Sequence, residues 1–451
     1  MSRLNSIDVD WAWAPFEPTD EAPWDLRSAA HLFRRAGFGA DWDTIGDAVS
    51  RDPISVVREL VEAREPDSFL ADMRGLLRAA LATGNVRQLS AQWVYRMPNT
   101  PAPLLEKMTL FWHGHFATSA AKVEDAELMQ RQNDLLRKLA LGDFSELLLE
   151  ISRDPAMLLY LDSATNRKSH PNENYAREIM ELFSLGEGHY SEQDIRELAR
   201  CFTGWEVKRK KFRFNRYQYD SGVKTVLGEE GSLTGEQGVA LVAAQDAAPR
   251  FLVRKLLRYF LVDEEKLTED VVEPLAQQFR NDGLRVAPVV QRILSSNLFF
   301  SPLVRGRKIR SPVDVGVGFL VAMEGRTDCF HLADDLEQLG QGLYFPPSVK
   351  GWDGGRTWIN SSTLLGRANL IHRLISGGKT RFAGQSISQW AEGNGLSNPD
   401  ALVDRLETLL LAVPISDSSK RRILALAKPS EKNWVGELIY TLCTLPEFQL
   451  A

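Results

Sequence analysis

Apolar residues recur at helical spacing along almost the whole chain, and that period constrains the fold more than any other feature. Between Asn172 and Leu185, Ala176, Ile179, Met180 and Phe183 fall at i, i+3, i+4 and i+7, so one face of a helix is committed to a core. Ile195, Leu198, Ala199 and Phe202 repeat the spacing behind Ser191 and Asp194, which are placed as in a capping box, and Gly204 is a natural stop. The same period runs through 26–48 (interrupted by Gly37 and Gly39), 53–64, 67–83, from Pro101 and Pro103 to about Trp112, and through 124–141 and 144–153. It resumes near Thr234 and continues through 250–259, 269–281 and 286–295, with two or three helices at the end. Residues 206–232 depart from it, because Val207, Phe212, Phe214, Tyr217 and Tyr219 approach strand-like alternation. The expectation is a mainly α protein of about fifteen or more helices with one small β-hairpin or extended insertion near 206–227.

The chain has 451 residues, 44% hydrophobic and 25% charged, enough to bury a sizeable core. It reads as one large helical domain over 26–451 behind an N-terminal extension of residues 1–25, with a soft subdivision near 228–236. A formal net charge of -6 argues against nucleic acid or an anionic membrane as partner. Lys208 to Arg216 (KRKKFRFNR) is a basic exception that could grip phosphates, although a solvated basic hairpin fits the acidic whole better. Cys201, Cys329 and Cys443 lie far apart without CxxC spacing, which fits small buried residues rather than a thiolate metal site or a disulfide framework. No run approaches the roughly 20 apolar residues of a membrane span. The N-terminus lacks the apolar segment of a signal peptide, so the sequence by itself suggests a cytoplasmic protein.

Residues 170–205 concentrate side chains able to bind ligands or move protons. Asn174, Glu178 and Glu181 lie on one side of their helix, away from the apolar stripe. One reading is a solvated face in which Glu173, Arg177 and Glu181 form an ion-pair ladder worth roughly 0.3–0.5 kcal/mol per pair. The other is a polar site, since asparagines at 172 and 174 are poor helix formers beyond a cap. In FWHGHF, His113 and His115 point about 200° apart on a continuous helix and converge on a metal only if the helix ends near Gly114. Imidazoles with a carboxylate such as Glu178 would suit Zn, Fe, Mn or Cu, making a divalent transition metal the matching cofactor. The alternative is a pair of structural histidines among aromatic rings. Residues 340–362 are rich in Gly, Pro and Trp and have no period; a loop this long inside a compact domain is functional or tightly packed. Trp205, Trp352 and Trp358 are core anchors or walls of a cleft. The absence of Walker, GxGxxG, GxSxG and HExxH patterns disfavours nucleotide hydrolysis, dinucleotide redox chemistry and common serine hydrolysis.

Nine segments, taken in order, resemble the family called domain of unknown function 1800. They are HLFRRAGFGA (31–40), MTLFWHGHFATS (108–119), RQNDLLRKLALGDF (131–144), RDPAMLLYLDSATNRK (153–168), PNENYAREIMELFSLGEGHYSEQDIRELARCFTGW (171–205), RSPVDV (310–315), LGQGLYFPPSVKGWDGG (339–355), WINSSTLLGRANL (358–370) and LPEFQ (445–449). The resemblance implies a helical bacterial protein whose activity is not established. It also implies frequent export, hence a periplasmic tendency, and frequent encoding beside a sulfatase-like partner. This chain departs from the family in lacking the export signal, and in reading Tyr219-Asp220 where many members have a His-Asp pair.

Two functional expectations follow. In the first, an enzyme, hydrolytic or oxidative, has His113 and His115 on a metal with Glu178 as ligand or general base. Asn174, Arg177 and Glu181 orient substrate, and Asn172, Trp205, Asp220, Trp352 and Trp358 bind it. In the second, a non-catalytic binding or assembly protein meets the sulfatase-like partner, or a glycan, through the Asn/Glu face and the Trp/Gly loop. A purely structural network of buried polar groups is the third possibility.

Overall fold

Oxygen-bearing side chains start many of the helices in the computed structural model, which describes residues 7–265 and 267–451. Ser191 and Asp194 form the expected capping box, Asp143 caps Phe144–Arg153, and Ser311 pairs with Asp314 to open Pro312–Ala322. The result is a mainly α architecture with 25 α-helices and three two-stranded sheets among the described residues. The period missed Val86–Asn99, Pro312–Ala322 and Cys329–Gln338. Pro312–Ala322 is apolar nearly all round and has no polar face to mark a period.

Two helix boundaries differ from the expectation in ways that shape the site. The FWHGHF helix runs over Pro103–His115, past Trp112 and Gly114, so both histidines stay on one continuous helix. The stretch expected as one α-helix from Asn172 to Leu185 is an α-turn, Asn174–Glu178, followed by a π-helix, Ile179–Ser184. A π-helix is rare and is frequently found at functional sites.

The expected hairpin pairs Trp205–Lys208 with Lys211–Phe214. Its two turn residues, Arg209 and Lys210, have φ of 51° and 59°, the left-handed pair that a tight hairpin turn requires. Lys210 is tied to Asp125 at 2.8 Å and Glu127 at 3.1 Å, and Arg213 to Glu206 at 3.2 Å, so much of the basic stretch is spent on ion pairs. Lys224–Val226 pairs with Glu229–Gly231, and Gly325–Arg326 with Arg381–Phe382.

One continuous set of buried apolar residues extends from Ala12 to Phe448. Residues of the N-terminal segment join it: Trp13 donates its indole N–H to the Val271 carbonyl at 2.8 Å, and the rings of Phe16 and Phe300 lie 4.4 Å apart. Cys201 and Cys443 are buried free thiols and Cys329 is half-buried. Among the described residues no helix is long and apolar enough to cross a membrane.

A buried ionic network locks the central helices. The Glu106 carboxylate is fully buried and accepts from Trp93 Nε1 at 2.8 Å, from Arg96 Nε at 2.7 Å, and from Arg137. Arg96 also pairs with Glu65, which accepts from Thr100 Oγ1 at 2.9 Å, and Arg137 donates to Asn133 Oδ1 at 2.7 Å. Burial alone would raise the Glu106 carboxyl, but the Arg137 and Arg96 guanidiniums and the Trp93 indole outweigh it and hold it below its ordinary range.

The 340–362 loop is pressed onto the FWHGHF helix. Gly351 has φ of +75°, and a Cβ there would lie 2.0 Å from the Gly114 carbonyl oxygen, so no other residue allows that approach. Tyr344, with φ of 67°, is buried and donates its backbone N–H to His113 Nε2 at 3.0 Å.

Candidate functional site

The two histidines of FWHGHF face different surroundings. His113 is packed among the rings of Trp93, Tyr344 and Trp352. Burial holds its imidazole down at about 3, and its Nε2 is already occupied as the acceptor for Tyr344. His115 lies among Phe111, Phe116 and Phe251. Its Nε2 is 2.9 Å from the Phe183 carbonyl, an acceptor, so the ring donates there and its lone pair is on Nδ1. That Nδ1 is buried without a hydrogen-bond partner. Burial, reinforced by the positive charge of Lys255, keeps His115 neutral.

The π-helix explains where His115 is held. At the end of Ile179–Ser184 the backbone carbonyls of Leu182 and Phe183 are turned outward, as at any helix C-terminus. Lys255 Nζ donates to the first at 2.9 Å, and His115 takes the second. Lys255 belongs to the helix Ala247–Phe260, where Phe251, Lys255 and Tyr259 are spaced i, i+4, i+8. Its Nζ lies 4.7 Å from the centre of the Phe251 ring. Burial, with the Arg258 charge adding, lowers the Lys255 ammonium to about 8.

His115 and Lys255 border a cleft of about 230 Å³ walled by Phe111, Tyr259, Trp352 and Trp358. Its charged lining is Arg258, Asp263, Lys308, Asp314, Lys350 and Asp353. Lys308 pairs with Asp263 at 2.6 Å, and Asp314 pairs with Lys107. Arg258 donates to the Asp353 carbonyl at 2.7 Å. Among the described residues no carboxylate is within ion-pair distance of Lys255, Arg258 or Lys350. Behind the cleft Arg35, Arg310 and Arg367 are buried and bonded to backbone carbonyls and the Gln449 amide rather than to acids. Burial brings each of the three down to about 10 even with Asp263 or Asp314 opposing it. Three carboxylates, Asp263, Asp314 and Asp353, thus line the cleft with four cations, Lys255, Arg258, Lys308 and Lys350, and the buried arginines add to the positive side. The indole N–H of Trp352 is also buried without an acceptor. A second hollow of about 400 Å³ shares His115, Lys255 and Lys350 with the cleft and adds Glu181, Glu187 and Phe251. A larger hollow of about 990 Å³, between residues 372–397 and 429–440, contains none of the sequence-predicted residues.

Of those residues, the structure gathers Trp352, Trp358 and His115 at the cleft and Glu181 at the adjoining hollow. The others lie elsewhere. Asn172 and Asn174 stitch the 161–174 loop: Asn174 Nδ2 donates to the Leu161 carbonyl at 3.0 Å and Asn172 Nδ2 to the Asp162 carbonyl at 3.1 Å. Arg177 is partly exposed; it keeps the Glu173 rung of the expected ladder at 3.6 Å and bridges to Glu192 at 2.8 and 2.9 Å in place of Glu181. Glu181 accepts instead from Tyr190 Oη at 3.2 Å. Glu178 is half-buried; burial and then its neighbour Glu181 raise its carboxyl, with Arg177 and Lys350 opposing. Trp205 is buried between Phe202 and Phe212 as a core anchor. Asp220 pairs with Arg200 at 2.7 Å, and Tyr219 Oη donates to the Leu233 carbonyl at 2.9 Å.

The expected metal centre of His113, His115 and Glu178 is not assembled. No group of three or more His, Cys, Asp or Glu among the described residues is arranged to hold a metal ion. The continuous helix through Gly114 is the reason, because it keeps the two imidazoles on different faces. Sequence reasoning missed Lys255, Arg258, Asp263, Lys308, Asp314 and Lys350. Lys255 had a signal: a lone cation in the middle of the aromatic stripe Phe251–Tyr259.

A family model described as "Protein of unknown function (DUF1800)" matches residues 31–450. No curated protein and no solved structure matches the chain.

Proposed function

The chain belongs to the DUF1800 family, and we propose that it is an enzyme acting on a small organic anion bound in the cleft between Trp352, Trp358 and Lys255. The observation that supports this reading is the charge imbalance around the cleft. Half-buried Lys255 has no acid partner, Arg258 and Lys350 are exposed cations of the lining, and buried Arg35, Arg310 and Arg367 add positive charge behind Asp263 and Asp314. An uncompensated buried cation is costly, and a bound anion would offset that cost. The tryptophan walls and Tyr259 give the organic part an apolar contact. The unpartnered Trp352 N–H offers one more donor. His115 and Glu181 are the groups placed to accept a proton beside it.

The test is a thermal-shift titration with phosphate, sulfate, citrate, benzoate and pyruvate, each compared with sodium chloride of equal ionic strength. At least one organic anion is expected to raise Tm in the wild type and to lose that effect in Lys255→Met with Arg258→Met. Equal shifts for every anion and for chloride would remove the reading.

Docking of a protein partner over the cleft mouth, such as the sulfatase-like one, is a second reading. Leu364 and Leu365 support it, since they are exposed on the first turn of Ser361–Ser376, just beyond Trp358. Co-purification of the partner with the wild type but not with a Leu364→Ser, Leu365→Ser variant would favour it.

A further inference from the structure

We propose that Lys255 is a nucleophilic amine that forms an imine with a carbonyl compound admitted through the cleft. This deepens the anionic-substrate reading by naming the substrate class: an aldehyde or ketone carrying an acidic group, such as a 2-oxo acid.

Three observations support it. Lys255 is placed where two hollows meet, so its amine borders space on both sides. It donates to the Leu182 carbonyl, which accepts from a neutral amine as well as from an ammonium, and among the described residues no acid pairs with the charged form. His115, seated on the next carbonyl of the same π-turn, brings a buried lone pair without a donor to the same boundary. A lysine placed only to cap a helix end needs neither the cavity nor the vacant imidazole nitrogen beside it. Desolvation also brings the free amine within reach near neutral pH.

The step balances without a further reactant. The Nζ lone pair attacks the carbonyl carbon, and the C=O π pair moves to oxygen. One proton leaves nitrogen for that oxygen, with His115 Nδ1 able to relay it. A second proton transfer lets the hydroxyl depart as water, and the nitrogen pair closes the C=N bond. Amine and carbonyl give imine and water, with nothing oxidised or reduced. His115 acts here as the proton relay, and Arg258 and Lys350 are the cations available to the acidic group.

The test is reductive trapping of the full chain with pyruvate or glyoxylate and sodium cyanoborohydride, with each lysine followed by peptide mass spectrometry. Lys255 is expected to be labelled at least tenfold faster than the exposed Lys122 and Lys208 of the same molecule. Labelling of Lys255 no faster than those internal references would overturn the proposal. Because the comparison is made within the wild-type protein, it does not depend on a variant folding. Propanal serves as the uncharged probe. Preferential labelling of Lys255 by propanal and pyruvate alike would support the imine while removing the anion reading. Preference for pyruvate would support both.

Discussion

Two buried charged regions of this protein are balanced in opposite ways. Around Glu106 every carboxylate oxygen is taken, two arginines and an indole converge on it, and the second acid, Glu65, completes Arg96. Around Asp263 and Asp314 the acids are each held by one lysine, while Lys255, Arg258 and three buried arginines answer to backbone carbonyls. A network whose acids and guanidiniums are paired supports the fold, and of its groups only the Asn133 Nδ2 is left without an acceptor among the described residues. An open one carries unspent charge, and it is the open one that lines a cleft. Perturbed groups alone do not separate the two cases; the completeness of their partners does.

Breaking the closed network should produce the largest effect. Glu106→Ala takes the shared, fully buried acid from two guanidiniums and should cost about 3–5 kcal/mol in urea unfolding. Removing a cation from the open region should behave differently, and pH exposes the difference. The Lys255 ammonium is held at about 8 in the folded chain against an ordinary 10.5, so folding disfavours its charged form. That penalty, about 3 kcal/mol, is present in full below pH 8 and is relieved as pH rises toward 10.5. The stability of the wild type should therefore climb relative to Lys255→Met across that window. Parallel curves would mean that Lys255 is not strained. Gly351→Ala sharpens the comparison by lifting the tryptophan loop off Gly114. It should cost more than about 1 kcal/mol by thermal unfolding and weaken anion binding as well. The smallest effect is expected at the surface: Arg177→Ala should change stability by about 0.2–1 kcal/mol and leave reductive labelling of Lys255 unaltered.

Much of the architecture was legible because it rests on local rules. The period of Ile195, Leu198, Ala199 and Phe202 and the Ser191–Asp194 box each reports on neighbouring residues and appears as read, while the alternation at 206–227 appears in part: Val207, Phe212 and Phe214 lie in the hairpin, and Tyr217 and Tyr219 follow it outside the strands. The density of polar side chains in 170–205 misled for a physical reason. Asparagines and arginines that close a tight loop and bridge two helices are chemically the same as those that hold a substrate. The cleft was less visible because it draws on segments far apart in the chain: the helix of His115, the helix of Lys255, the first turn of Pro312–Ala322 with Asp314, and the loop of Trp352. The π-turn that seats Lys255 and His115 has no distinct period, since one added residue per turn leaves the apolar pattern of Ile179, Met180 and Phe183 nearly intact.

The bond between the Tyr344 N–H and His113 spans 231 residues of chain, and this has a consequence for biosynthesis. At roughly 5–20 residues per second, His113 leaves the ribosome about 10–50 s before the loop that covers it. During that interval the aromatic face of the FWHGHF helix, a surface destined to be buried apart from its edge on the cleft, has no lid. A nascent chain paused between residues 115 and 340 would present Trp93, Phe111 and Trp112 with part of their eventual cover missing, and it is at that stage that a chaperone would have most to shield.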